Sequence, residues 1–263
     1  MRHPNLKQGV YLLPNLCTTA NLFCGFFSVV RSLNGQFSQA AWAILLAGLF
    51  DFLDGQLARL TKTQSRFGLE YDSLVDSASF GFAPSLMIYT WSLYHLQRLG
   101  WVAAFLFFAC GVLRLARFNI QIGSVERKDF QGLPIPAAAC AIVGWVLLNT
   151  HFSTGIAAVP SISLLLTVAS GMLMVSTLRY RSLKGFDFRS QRSFYFLVAI
   201  VGVLILIALE PNLFIFIGAA TYMLSGVAEK LFSQWRQSND SSRHPLKIVS
   251  AVNEKGLSSW DRS

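Results

Sequence analysis

Charge is what this chain has least of. Of 263 residues only 13% are Asp, Glu, Lys or Arg, against roughly a quarter in a soluble globular domain. Hydrophobic residues make up 53% and the mean hydropathy is +0.48. A water-facing surface cannot be assembled from that supply, which excludes a soluble globular protein and implies a membrane protein. Cysteine and histidine are equally sparse, at four each. Cys17, Cys24, Cys110 and Cys140 all fall in apolar runs, and no paired metal-ligand spacing joins them to the histidines, so neither a disulfide framework nor a zinc site is expected. No internal repeat and no second folded domain is visible.

Long stretches free of charge are what the chain has instead. They define eight candidate spans, at about 13–33, 37–58, 68–94, 99–118, 134–151, 158–178, 193–209 and 212–231, each near the roughly 20 residues needed to cross a bilayer. The runs are continuous and rich in Leu, Ala and Phe rather than alternating, which argues against a β-barrel. The expected fold is therefore all-α, a polytopic membrane helix bundle. The first run carries Asn15, Thr18, Thr19 and Asn21 through its middle and has no small-x-small site, so it reads as a retained helix rather than a cleaved signal. With the N-terminus placed in the cytoplasm, 20 of the 22 basic residues fall inside and only Arg31 and Arg98 outside. The positive-inside rule thus expects both termini to be cytoplasmic. Apposition to anionic lipid explains the net charge of +9, and nucleic acid is not expected as a partner. Residues 1–231 read as one membrane domain and 232–263 as a flexible cytoplasmic tail.

Four acids lie where the rest of the pattern forbids them. Asp51 and Asp54 close the second span, and Asp72 and Asp76 open the third. An uncompensated carboxylate at the centre of a membrane helix costs about 2.5–3.5 kcal/mol, so something must offset four of them. Spacings of i, i+3 and i, i+4 place each pair on one helix face, and the short basic connection makes the two helices expected antiparallel neighbours with all four carboxylates facing one another. Such a cluster needs protons or a cation, and an all-oxygen site suits Mg²⁺ or Mn²⁺, with two ions plausible alongside substrate phosphates. The plainer alternative, helix-end acids reaching water, explains Asp51 and Asp54 singly but not two facing pairs. Gly55, Ala58 and Gly68 share the acidic face and leave room for a phosphorylated ligand, unless they serve helix packing alone. Arg59 adds a permanent cation suited to a phosphate oxygen.

Read together, Asp51-x2-Asp54-Gly55-x2-Ala58-Arg59-x8-Gly68-x3-Asp72-x3-Asp76 resembles, at every position and spacing, the signature of the CDP-alcohol phosphotransferase family. The segments Leu13–Phe26, Phe67–Pro84, Arg114–Asn119 and Phe130–Ala139 further resemble its membrane-embedded bacterial branch with serine as acceptor. The resemblance implies a metal-dependent enzyme that transfers a phosphatidyl group from CDP-diacylglycerol to the hydroxyl of L-serine and releases CMP. It implies Asp51, Asp54 and Asp72 as metal ligands, and Asp76 as ligand and general base. Asp54, Gly55, Ala58, Arg59, Gly68 and Asp72 would line the CDP pocket. It also implies a homodimer in the bacterial plasma membrane, with the active site facing the cytoplasm.

Other assignments stay open at this stage. Asn15, Thr18 and Asn21 are candidates for cytidine or acceptor contacts, or equally for interhelical hydrogen bonds. Arg114 and Arg117 suit the lipid diphosphate or the serine carboxylate, through bidentate pairing, or a plain positive-inside anchor. Asn119 is grouped with them on resemblance. Another acceptor such as glycerol 3-phosphate would use the same chemistry. A divalent-cation transporter is the alternative from a different class.

Overall fold

In the computed structural model the described residues are 5–61, 65–121, 130–152, 159–180 and 210–243. They form eight α-helices: α1 (Asn5–Leu33), α2 (Phe37–Thr61), α3 (Arg66–Asp76), α4 (Ala83–Trp91), α5 (Arg98–Gln121), α6 (Ile135–Phe152), α7 (Val159–Val175) and α8 (Pro211–Arg243). Extended structure among these residues is confined to a two-residue antiparallel pairing of Phe130–Gln131 with Arg179–Tyr180.

Five of the helices contain a stretch long and apolar enough to cross a membrane: Leu13–Leu33, Phe37–Thr61, Arg98–Ile120, Ile135–Phe152 and Pro211–Lys230. The expected third span is helical too, but not uniformly. A π-helical segment, Ser77–Phe82, joins α3 to α4. Asp76, Ser77, Phe82 and Ala83 at its ends all keep right-handed helical dihedrals, so Arg66–Trp91 is one rod of about 39 Å at 1.5 Å per residue. Its start is fixed by Ser65, whose Oγ accepts from the Gly68 N–H at 3.0 Å. Helix α7 is apolar but shorter. The expected span 193–209 lies outside the described residues. Helix α8 runs on to Arg243, past the boundary at 231 expected for a flexible tail; residues 244–263 lie outside the description.

α1 and α2 form a hairpin closed at Gly35. Its positive φ of 73° lets the Gly35 N–H reach Ser32 O at 3.1 Å and the Gln36 N–H reach Arg31 O at 2.9 Å, the paired bonds of a Schellman cap. The two helices then pack along their length, while α6 occupies the centre against α2, α4, α7 and α8. Phe80, Phe107, Ile44, Met87, Ile142 and Leu147 fill the buried interior. Large apolar side chains such as Phe23, Phe26, Phe52 and Phe105 point outward, as lipid contact requires.

Candidate active site

Helix α2 carries Asp51, Asp54, Gly55, Ala58 and Arg59 at its last turns, and α3 carries Gly68, Asp72 and Asp76. Contrary to the expectation from the short connection, α2 and α3 do not pack against each other along their length. Both pack on α1, and the ends of α2 and α3 meet through their acidic side chains. Side chains of the three helices meet at the carboxylates.

Three of the four acids meet there. Single carboxylate oxygens of Asp51, Asp72 and Asp76 all lie within 4.8 Å of one another. At about 4 Å, two like charges in an effective dielectric near 20 repel by about 4 kcal/mol, so this trio calls for a counter-charge. The donor set fits a hard divalent cation: it is all oxygen, and Asp72 Oδ1 is sealed from solvent without any hydrogen-bond partner. A bound cation would give that orphaned oxygen a partner and cancel the repulsion.

The fourth expected ligand, Asp54, makes a different contact. Asp54 does not belong to the close trio. It is turned toward α1 and buried, 5% exposed, where Thr18 Oγ1 donates to its Oδ2 at 2.8 Å. The reason is helical phase: i, i+3 residues are about 60° apart around the axis, enough for Asp51 to face α3 while Asp54 faces α1. The same helix reaches the other acid pair. Asn21, fully buried, donates from Nδ2 to Asp76 Oδ1 at 3.5 Å, and its Oδ1 has no partner. One α1 face thus touches a carboxylate of α2 and a carboxylate of α3.

The remaining expected residues divide. Asn15 faces α3: its amide oxygen would be 3.7 Å from a methyl group placed on Gly68. Gly55 is open, because a methyl group there would meet only Arg59 Nη2, at 3.5 Å. Arg59 is exposed, and its Nε donates to Gly55 O at 2.9 Å. Ala58 is half-buried beside them. On α5, Arg114 is half-buried with Nε sealed and unpartnered, within electrostatic reach of Asp76 and of Tyr222 of α8. Arg117 is also half-buried. Asn119 is engaged by α3: its Nδ2 donates to Ser73 Oγ at 3.1 Å and Glu70 Oε2 at 3.4 Å, and Ser73 Oγ lies 3.2 Å from its Oδ1.

Sequence reasoning missed Ser73, Glu70, Tyr71 and Tyr222. Tyr71, whose hydroxyl lies 3.1 Å from that of Thr19, adjoins Asp72 but is no part of the signature. Tyr222 falls in a last helix without motif information.

A helical membrane protein whose carboxylate trio fits a divalent cation, with arginines and an open glycine beside it, is built to handle phosphates within reach of lipid. Residues 11–176 match the CDP-alcohol phosphatidyltransferase family, and the chain belongs to it. It is similar to the CDP-diacylglycerol–serine O-phosphatidyltransferase of Helicobacter pylori strain 26695, with 38% identity over 85% of this chain and 92% of that protein. The Mycobacterium leprae protein of the same name is 30% identical over 84% of this chain and 75% of its own length. The archaetidylserine synthase of Methanothermobacter thermautotrophicus is 36% identical over 66% of this chain and 71% of that protein. The chain is a membrane-embedded phosphatidyltransferase.

Proposed function

We propose that this enzyme transfers the phosphatidyl group of CDP-diacylglycerol to L-serine, giving phosphatidylserine and CMP. The observation that carries the reading is the oxygen trio of Asp51, Asp72 and Asp76 with its orphaned Asp72 Oδ1, in a chain whose curated relatives are named for serine as acceptor. Family membership sets the transporter alternative aside.

In the proposed reaction, the serine Oγ–phosphorus bond forms on the phosphorus that bears diacylglycerol. The bond from that phosphorus to the bridging oxygen breaks, and CMP leaves with the oxygen. Asp76 takes the hydroxyl proton of serine, as a general base positioned within hydrogen-bond reach of its nucleophile. Asp51, Asp72 and Asp76 hold Mg²⁺ or Mn²⁺, one ion or two, which when bound neutralises developing charge on the diphosphate. Asp54, fixed by Thr18, completes the acidic wall on the CDP side. Gly55 leaves its backbone open to the nucleotide, with Ala58, Gly68 and Arg59 around it. Arg114 and Arg117 receive the lipid phosphate or the serine carboxylate. Asn21 and Thr18 act first as carboxylate partners, consistent with the interhelical reading, and Asn15 completes the polar face.

The membrane arrangement belongs to the same proposal. Eight spans place both termini and the carboxylates on the cytoplasmic side of the bacterial plasma membrane, where nucleotide, serine and lipid head group converge. Residues 1–231 form the catalytic domain, the stretch beyond it is a cytoplasmic extension that begins as helix, and the working unit is a homodimer.

The test is CMP release from CDP-diacylglycerol by the detergent-purified full chain, with serine, glycerol 3-phosphate or inositol, and with Mn²⁺, Mg²⁺ or chelator. Release with serine alone, abolished by chelator, is the expected result. Release with another acceptor overturns the serine assignment, and release untouched by chelator overturns the metal.

A further inference from the structure

Asn119 stands near the C-terminal end of α5, in a segment whose basic neighbours Arg114 and Arg117 the proposed function assigns to the lipid phosphate or the serine carboxylate. Its own amide is engaged otherwise. Both ends of it are occupied by α3, through Ser73 Oγ at 3.1 and 3.2 Å and Glu70 Oε2 at 3.4 Å. Helix α5 packs on the π-segment Ser77–Phe82, whereas its backbone does not run along α3. The amide of Asn119 therefore reaches across to α3 from a helix that is otherwise engaged one level deeper in the bundle.

The position of its partners gives this reach a consequence. Ser73 directly follows Asp72, and Glu70, Ser73 and Asp76 are spaced at i, i+3 and i+6 along α3. On its other flank α3 is held by α1, through the Thr19–Tyr71 hydroxyl pair and the Asn21–Asp76 bond. Extensive backbone packing between α2 and α3 is not among their contacts, so the distance from Asp51 to Asp72 and Asp76 is not set by a long shared interface. That distance depends on the rotation and tilt of α3, which its flanking partners hold at the Arg66 end of the rod while the packed π-segment holds the other.

We propose that Asn119 and Ser73 form an interhelical latch that sets the rotation of α3, and so the spacing of the Asp51, Asp72 and Asp76 oxygens, making Asn119 a positioning residue for the metal site rather than a substrate contact. The proposal rests on the metal-dependent reading above. Partners one step removed from metal ligands change metal affinity or activity by about 10- to 100-fold, and the latch, acting through the helix rather than on a carboxylate directly, belongs at the lower end.

The experiment titrates Mn²⁺ at saturating serine and CDP-diacylglycerol, with CMP release as readout, for the wild-type chain, Asn119→Ala, Ser73→Ala, the double variant, and the exchange Asn119→Ser with Ser73→Asn. Thermal unfolding of each metal-free protein reports folding, and Ser73→Ala is the mildest change should Asn119→Ala fail to fold. Either single change is expected to raise the half-activating Mn²⁺ concentration by about tenfold, with the KM values for serine and CDP-diacylglycerol unchanged at saturating metal. The double variant should be no worse than either single one, and the exchange should recover part of the loss. A raised KM for serine or CDP-diacylglycerol with a normal Mn²⁺ response would overturn the latch and return Asn119 to the substrate. Independent, additive losses in the double variant would overturn it too. A wild-type enzyme indifferent to Mn²⁺ and Mg²⁺ would instead overturn the underlying metal reading.

Discussion

The centre of α6 and the carboxylate-bearing ends of α2 and α3, with the face of α1 that touches them, are drawn from the same kind of apolar stretch, yet they treat polar atoms in opposite ways. Helix α6 has no charged residue, and most of it is buried against four neighbouring helices. Its polar groups are satisfied locally: Asn149 Nδ2 donates to Trp145 O, Thr150 Oγ1 to Val146 O, and Trp145 Nε1 to Ser163 Oγ. Around the carboxylates, Asn21 Oδ1, Asp72 Oδ1 and Arg114 Nε are sealed without partners. An unsatisfied buried polar group costs about 1–3 kcal/mol, and more inside lipid. The polar groups of the hub are paired as folded, whereas those three around the carboxylates have room for a further partner.

That contrast is broken most sharply at Asp76. Asp76→Asn keeps the shape but removes both a charge and the proposed base, and should lower the rate of CMP release by about a thousandfold. Because the trio repels itself without a cation, the variant should unfold at the same temperature or higher than the wild type in chelator, and gain less from added Mn²⁺. A near-normal rate would remove Asp76 from the chemistry. In the hub the signs reverse. A methyl group on Gly144 would stand 2.7 Å from Phe216 Cα, so α6 and α8 touch backbone to backbone, as small residues permit between membrane helices. Gly144→Ala must force them apart, costing about 1–3 kcal/mol as overpacking does, while the KM values of the molecules that remain folded stay the same. Thermal unfolding in detergent, paired with CMP-release kinetics, separates the two effects.

Hydropathy made much of the bundle legible, and for a physical reason: insertion selects on composition over about 20 residues. Helix α2 was expected at 37–58 and runs Phe37–Thr61; α6 was expected at 134–151 and runs Ile135–Phe152. The π-segment in the third span was not legible, because one wider turn changes no composition. It shows only in three dimensions, where Ser79 Oγ donates to Asn21 O at 3.2 Å. The acids were legible as a group from their cost in lipid, but their grouping into three and one was not. A short connection implies neighbours, and nothing in the spacing of Asp51 and Asp54 said that α1 would pack on both helices and engage Asp54 through Thr18. Asn119 was grouped with ligand contacts on resemblance alone, and its hydrogen bonds to α3 could not be foreseen. A linear sequence does not show that Ser73 and Glu70 lie opposite it.

The smallest expected effect is also the most discriminating, and it compares two glycines. At Gly25 a methyl group would lie 2.9 Å from the Cα of Ser79, backbone that cannot swing aside, so Gly25→Ala should lower thermal stability and leave substrate KM alone. At Gly55 the same methyl group meets only the far end of Arg59, at 3.5 Å. Ala in a helix interior is favoured over Gly by about 0.5–1 kcal/mol, so Gly55→Ala should be neutral or slightly stabilising. If Gly55 is open because the nucleotide approaches its backbone, the methyl group must still raise the KM for CDP-diacylglycerol, by about threefold to tenfold, corresponding to roughly 0.7–1.4 kcal/mol, with the KM for serine unchanged. Stability gained and nucleotide affinity lost in one substitution is the signature of space kept for a ligand. An unchanged KM for CDP-diacylglycerol would mean that the space at Gly55 is not nucleotide space, and would move the CDP pocket toward Gly68 and the α1 face.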